Sequence, residues 1–220
     1  SVAVVEDDTL VAEYTVNYKK THSQTLLPMI DEIFSMVQLK PDDVDVIAVS
    51  KGPGSFTGLR IGAATGKGIA LALDKKMVAV PTLAAMAYNL YGDSRYICPV
   101  MDARRKHLYS GIYTFDGDRL ITVRDVNLES YDELAEELAG LDGQVVLVGD
   151  GVDVAGDVLK EQLGDKCVLA PAHIKTQRGG SVALLAKQMA DNGEYTDADE
   201  LKPDYLRPSQ AEREKAQHES

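Results

Sequence analysis

The residues best placed to do chemistry lie in one string, Lys51-Gly52-Pro53-Gly54-Ser55-Phe56-Thr57-Gly58, set between an apolar run and a long helical one. A glycine-rich turn leading from a strand into a helix aims backbone N–H groups and the positive end of the helix dipole at one point, which suits a phosphate. Gly52, Gly54 and Ser55 are therefore a candidate anion or nucleotide loop. The same string also reads as a tight turn with Ser55 as helix N-cap. It lacks the Gly-Lys-Ser/Thr of a Walker loop and the GxGxxG of a dinucleotide loop. His22, His107, His173 and His218 include no pair four residues apart, so no helix-borne metal site is predicted. Arg104, Arg105 and Lys106, after Asp102-Ala103, form the one dense basic cluster. Such a cluster could meet RNA phosphates or an acidic partner, although a solvated strand edge is the commoner role. Cys98 and Cys167 belong to no CxxC pair or Cys/His set, which predicts buried thiols in a reducing compartment.

An α/β framework must position these residues. Ser1 to Val5 and Thr9 to Asn17 predict a hairpin about the Glu6-Asp7-Asp8 turn. A helix follows from Thr21, whose spacing to Gln24 is that of a capping box, to about Val37. Next come a buried strand from Val44 to Ser50, a helix from Ser55 to Leu73, a strand from Met77 to Val80 and a helix from Pro81 to Tyr91. The remainder reads as strands Tyr96 to Met101, Leu108 to Phe115 and Leu120 to Val126, a helix from Ser130 to Ala139, a strand from Val145 to Val148, the turn Gly149-Asp150-Gly151 and a helix from Asp153 to Leu163. Residues 1–73 and 110–163 run through the same order of elements at similar spacing, which predicts a duplicated mixed-sheet α/β fold, one half over 1–95 and the other over 96–220. The first half has no counterpart of Tyr96 to Met101, so an N-terminal strand is expected to be missing.

Two helices carry more apolar or small surface than one sheet can use. Gly58, Gly62, Gly66 and Ala70 recur every four residues, and each helix-interior glycine costs about 1 kcal/mol relative to alanine. Either tight packing on the sheet or a closely approaching partner helix accounts for the row. The helix from Thr21 has one row of Leu26, Met29, Ile33 and Met36 and a second of Leu27, Ile30, Phe34 and Val37, about 100° around the axis. Two rows predict a second contact beyond the chain's own sheet. Leu26, Met29, Ile30, Ile33, Met36, Gly58, Gly62, Gly66 and Ala70 are the candidate partner interface.

Charge narrows the function classes. In 220 residues, 35 acids against 23 bases leave a net charge of −12, the reverse of what neutralising a phosphate backbone requires. Residues 1–100 carry only −2 of it and 101–220 carry −10. No apolar run is long enough to span a bilayer and no signal segment is evident, which predicts a cytoplasmic protein without a membrane partner.

At Lys51-Gly-Pro-Gly-Ser-Phe-Thr-Gly-Leu-Arg-Ile-Gly62 the sequence resembles the bacterial TsaB (YeaZ) family. The resemblance continues through His22-Ser-x-x-Leu26-Leu27-Pro28-x-Ile30, Val80-Pro-Thr-Leu83, Met101-Asp-Ala-Arg104 and Pro203-Asp-Tyr-Leu-Arg207. It implies an ASKHA (actin-like ATPase, ribonuclease-H-like) fold and a dimerization subunit that supports the paralogue TsaD. That enzyme transfers threonylcarbamoyl from threonylcarbamoyl-AMP to N6 of adenosine 37 in tRNA. The metal-binding helix of TsaD carries an HxxxH pair. The matching helix here reads His22-Ser-Gln-Thr-Leu26, with leucine in the second ligand position. The resemblance thus implies that this chain has no catalytic or metal residue and binds no cofactor itself, ATP and metal belonging to partner subunits. Its implied partners are TsaD, the P-loop ATPase TsaE, a second copy of itself when TsaD is absent, and tRNA only indirectly. Against this stand a nucleotide-binding ASKHA enzyme and a glycoprotease-like peptidase, the latter disfavoured by the missing histidine pair.

Overall fold

The computed structural model describes residues 1–18 and 21–206; Arg207 and His218 lie outside them. The first half begins with a hairpin, β1 (Val2–Glu6) and β2 (Thr9–Tyr14), followed by α1 (His22–Val37). Then β3 (Val46–Gly52) leads through α2 (Phe56–Leu73) into a parallel partner, β4 (Lys76–Pro81), and α3 (Thr82–Tyr88) closes the half. The second half is a meander of β5 (Tyr96–Arg104), β6 (His107–Asp116) and β7 (Arg119–Ser130), followed by α4 (Tyr131–Gly140), β8 (Val145–Val148), α5 (Val152–Leu163), β9 (Cys167–Leu169) and α6 (Gly179–Asp191).

The two halves repeat one plan. The second forms a single sheet in the order β7-β6-β5-β8-β9, with β5 antiparallel to β6 and parallel to β8. In the first half β1, β2, β3 and β4 take the places of β6, β7, β8 and β9. No strand among the described residues stands where β5 would, and the four make two separate two-stranded sheets.

Strand periodicity divides the core. In β5 and β8, Ile97, Val146 and Val148 face one side, while Cys98, Val100, Val145 and Leu147 face the other. A strand buried on both faces reads as an unbroken apolar run, as Val145-Val-Leu-Val148 does. On one face the core is completed by Leu134 and Leu138 of α4 and Leu159 of α5. On the other, Leu83 and Met86 of α3, Leu185 of α6 and Val78 and Val80 of β4 join the same cluster, so the two halves share a core. Cys98 and Cys167 are fully buried free thiols, and burial pushes the pKa of Cys98 upward, which keeps it protonated and unreactive.

α6 returns to the first half, although it falls within 96–220. Its first turn is tied to β2 and to the chain start: Gly180 N–H donates to Glu13 Oε1 at 3.2 Å, Gly179 N–H donates to Ser1 Oγ at 2.8 Å, and the Arg178 guanidinium pairs with Glu13. Beyond it, Thr196 N–H donates to the Met77 carbonyl and Leu201 is buried with Ala63, Ala70 and Met77. Sequence reasoning placed no element after Leu163, although Val182, Leu185, Ala186 and Met189 carry helical spacing and Cys167-Val-Leu169 is a short apolar run.

One cap is corrected. Thr21 is the N-cap of α1, but its side chain makes no cap bond. Its hydroxyl hydrogen-bonds Ser23 Oγ, and the Gln24 N–H is satisfied by the Thr21 carbonyl at 3.0 Å, so the capping box does not form. A capping box does form at α4, between Ser130 and Glu133.

Burial raises the Glu13 pKa, but the bonds from Arg178 and Gly180 outweigh it and hold the carboxyl below its usual value. A depressed folded pKa contributes stability above the unfolded value of about 4.3, lost as the pH falls through the folded one. Glu13→Gln is expected to cost about 1–3 kcal/mol at pH 7. It should also flatten the acid limb of the stability profile, measured by urea unfolding between pH 2.5 and 7.

Candidate functional site

The glycine loop, α2 and α1 form one surface, in which the loop is closed by the chain itself. Gly52 has φ +125°, and a Cβ there would lie 2.6 Å from the Asp204 carbonyl oxygen. Its N–H donates to Thr82 Oγ1 at 3.2 Å, facing inward. Gly54 faces the Leu59 side chain, and Ser55 Oγ accepts from Gly58 N–H at 3.3 Å as the N-cap of α2. Asp204 N–H donates to the Lys51 carbonyl at 2.7 Å while its carboxylate pairs with Lys51 at 3.3 Å. Tyr205 then stacks on Phe56 at 4.7 Å between ring centroids and accepts from Arg60 Nε at 3.2 Å. The anion-loop expectation is corrected at Gly52, where the close approach is that of the Asp204 carbonyl; Gly54 is in ordinary contact with Leu59, and Ser55 Oγ acts as a cap.

The candidate interface residues part company for a geometric reason. At 3.6 residues per turn, a row repeating every four residues drifts about 40° per step. Gly58 lies against His22 of α1, and Gly62 meets nothing within 4 Å. Gly66 has turned onto the strands, where a Cβ would lie 2.5 Å from Val49 Cγ1, and Ala70 is 1% exposed. Gly66 and Ala70 are therefore corrected from interface to core. So are Met29 and Ile33 of α1, at 5% and 4% exposure, which α1 presses onto β1, β2 and α2. Leu26 and Ile30 are half-buried. Met36 leaves the buried row it was grouped with and is 75% exposed, and Leu27, on the opposite side of the helix, is 59% exposed.

The outward strip of α2 has the 3-4-3 spacing of a single helical face, and the four-residue glycine row drew the sequence reading past it. Ile61, Ala64, Gly68 and Leu71 make it, with Gly68 meeting nothing within 4 Å and Leu71 62% exposed. Open glycines inside a helix and an exposed leucine are costly without an intramolecular return.

Arg104, Arg105 and Lys106 lie apart from this surface, at the tip of the β5–β6 hairpin, all exposed. Each has positive φ, at 65°, 57° and 59°, a finding that residue types alone oppose. Asp150, in the turn before α5, has an Oδ1 with no hydrogen-bond partner, and its pKa is raised chiefly by burial. Among the described residues no three His, Cys, Asp or Glu side chains converge as metal ligands, and no helix is long and apolar enough to cross a membrane.

The fold defines an α/β mixed-sheet protein of the ASKHA type. The family model described as TsaD, tRNA N6-adenosine threonylcarbamoyltransferase, matches residues 9–215. The tRNA threonylcarbamoyladenosine biosynthesis protein TsaB of Bacillus subtilis is 32% identical over 96% of this chain and 90% of its own length. That of Escherichia coli is 31% identical over 94% and 89%. The solved structure of YeaZ from Pseudomonas aeruginosa superposes with a TM-score of 0.77 at 25% identity, covering 93% of this chain and 92% of that one. This chain belongs to the TsaB (YeaZ) family.

Closure of the loop by residue 204 sets an asymmetry among glycines. Gly52→Ala is expected to destabilise the protein by about 2 kcal/mol or more, since a Cβ meets both an unfavourable φ and a backbone oxygen. Gly62→Ala and Gly68→Ala, with open space, should each stabilise the isolated chain by up to about 1 kcal/mol. Thermal unfolding of the three variants checks the order.

Proposed function

We propose that this chain is a non-catalytic scaffold subunit of a tRNA threonylcarbamoyladenosine machinery, acting in the cytoplasm. Its part is to dock the threonylcarbamoyltransferase TsaD through the outer faces of α1 and α2, and a second copy of itself when TsaD is absent. The observation that carries the docking role is the α2 strip of half-buried Ile61 and exposed Ala64, Gly68 and Leu71, together with Leu27 and Met36 left exposed on either side of α1. Small residues let a partner helix come close, and the exposed leucines Leu27 and Leu71 and methionine Met36 supply the area and adaptability of a helix-on-helix contact. The names of the curated relatives support the pathway, and the match to the TsaD model suits a pairing of related surfaces.

The division of labour follows from α1. A metal-binding helix needs two ligands one turn apart on one face, and one turn after His22 stands Leu26, half-buried. In this reading the metal and the transferase chemistry reside in TsaD, ATP turnover resides in TsaE, and no cofactor is bound by this chain. The scaffold contributes the rigid pair of helices that the catalytic subunit packs against.

The test is a charge placed on an exposed position of each helix, outside the core. Met36→Glu/Leu71→Glu is expected to leave the unfolding midpoint of the isolated chain nearly unchanged. It should weaken association with TsaD at least about thirtyfold by calorimetry, and shift any self-dimer to monomer by light scattering. Undiminished association would reject the docking role.

A further inference from the structure

Three consecutive non-glycine residues with left-handed backbone close the β5–β6 hairpin. Arg105 and Lys106 are the two loop residues between the paired Arg104 and His107, and both have positive φ. That is the turn in which Asn-Gly is ordinarily found, because a Cβ disfavours the conformation. Arg104 adds a third such residue where the register slips after Asp102. The tip is held from both sides: Arg104 N–H donates to Asp102 Oδ1 at 2.7 Å, and His107 Nδ1–H donates to the Arg105 carbonyl at 2.8 Å. Backbone strain enforced by neighbours in this way concentrates at binding sites.

What the strained tip displays is uncompensated charge. Among the described residues none of these three side chains has a carboxylate within ion-pair distance, whereas Arg95, Arg124, Arg178 and Lys175 are each paired with an acid. Among the described residues other cations, Lys40, Lys67, Arg119 and Lys202 for example, also lack an ion pair; what sets the tip apart is three of them in consecutive exposed positions.

We infer that the Arg104–Arg105–Lys106 tip contacts the phosphate backbone of tRNA, an inference that rests on the proposed place of this chain in a tRNA-modifying assembly. An arginine fork matches two phosphate oxygens, and phosphate contacts position a nucleic acid without needing a broad complementary face. A projecting two-residue turn can supply such contacts alone. An acidic protein face of ordinary size, about 800 Å² per partner, would also have to lie against Asp102, Glu133 and Asp150 around the hairpin base, which carry its own sign. The net negative charge makes the tip an auxiliary contact, effective once other subunits hold the RNA.

The turn geometry supplies the test. Arg105→Asn/Lys106→Gly removes two charges and gives the turn the residues it favours. Unfolding of the isolated variant is expected about 2–4 °C above the parent chain. The variant should still assemble with TsaD. Binding of an in vitro transcribed tRNA to that complex should weaken about tenfold near physiological salt. The slope of log affinity against log salt should fall in magnitude by about 1.5, as expected for two lost phosphate contacts. The swap Arg105→Lys/Lys106→Arg should keep the slope. Unchanged tRNA affinity and slope in the charge-removed variant would overturn the inference. So would loss of TsaD association with an unchanged slope, which would assign the tip to an acidic protein surface. Failure of the parent chain itself to assemble would count against the docking role instead. The same variants would then be compared as isolated chains at low salt by filter binding, where equal retention of tRNA by parent and variant overturns the tip contact.

Discussion

Glu13 reaches from β2 to the first turn of α6, 165 residues along the chain, and most of the first half depends on that contact. A half-buried carboxylate there meets two favourable partners at once, the unsatisfied N–H groups that begin a helix and the Arg178 guanidinium. It matters because β1–β2 and β3–β4 make two separate sheets, neither able to cover its own apolar face. α6 packs on strands of both, and the segment after it continues through Thr196 and Leu201 to Asp204 at the end of β3. The second half therefore supplies a clasp that the first half needs.

That clasp also decides what the glycine loop can be. A turn with the composition of a phosphate cradle is filled by the carbonyl of residue 204 and roofed by the stack of Tyr205, Phe56 and Arg60. One consequence is rigidity at the N-terminal end of α2. The helix is fixed at its start by the Ser55 cap and along one side by Leu59, Ala63, Gly66 and Ala70, which leaves its opposite side as a firm, small-residue surface. Such a surface suits association, because a helix already ordered loses little conformational entropy when a partner packs against it.

The two exposed specialisations use opposite chemistry. The α2 strip is made of small and apolar residues and sits in the half that is nearly neutral, while on α1 exposed Asp31 and Glu32 lie between Leu27 and Met36, so a partner there must offer polar or cationic groups. The hairpin tip is cationic and projects from the half that carries most of the negative charge. Charge reversal over so short a distance confines any anion contact to the tip itself. Elsewhere in that half the cations serve the fold, as Arg124 does in joining Ser110, Glu129 and Glu137 across β6, β7 and α4.

Local chemistry determined much of this protein from sequence alone. The alternation and apolar runs of residues 1–163 place every strand and helix there to within a few residues, apart from the short turn helix at Pro41–Asp43, because those periods are set by the backbone. The duplication was legible for the same reason, and so was the N-cap at Ser55. The glycine string and its neighbours in sequence likewise carried the resemblance to the TsaB family. Tertiary structure decided the rest. It alone shows that Met29, Ile33, Gly66 and Ala70 face inward while Met36, Gly68 and Leu71 face outward, since helical phase depends on which neighbour a face meets. It alone places α6 on the first half, fills the glycine loop with residue 204, and holds Arg104, Arg105 and Lys106 in a left-handed tip. Each of these rests on contacts between residues far apart in the chain or on a backbone conformation that the residue types themselves disfavour, and neither leaves a periodic trace in the sequence.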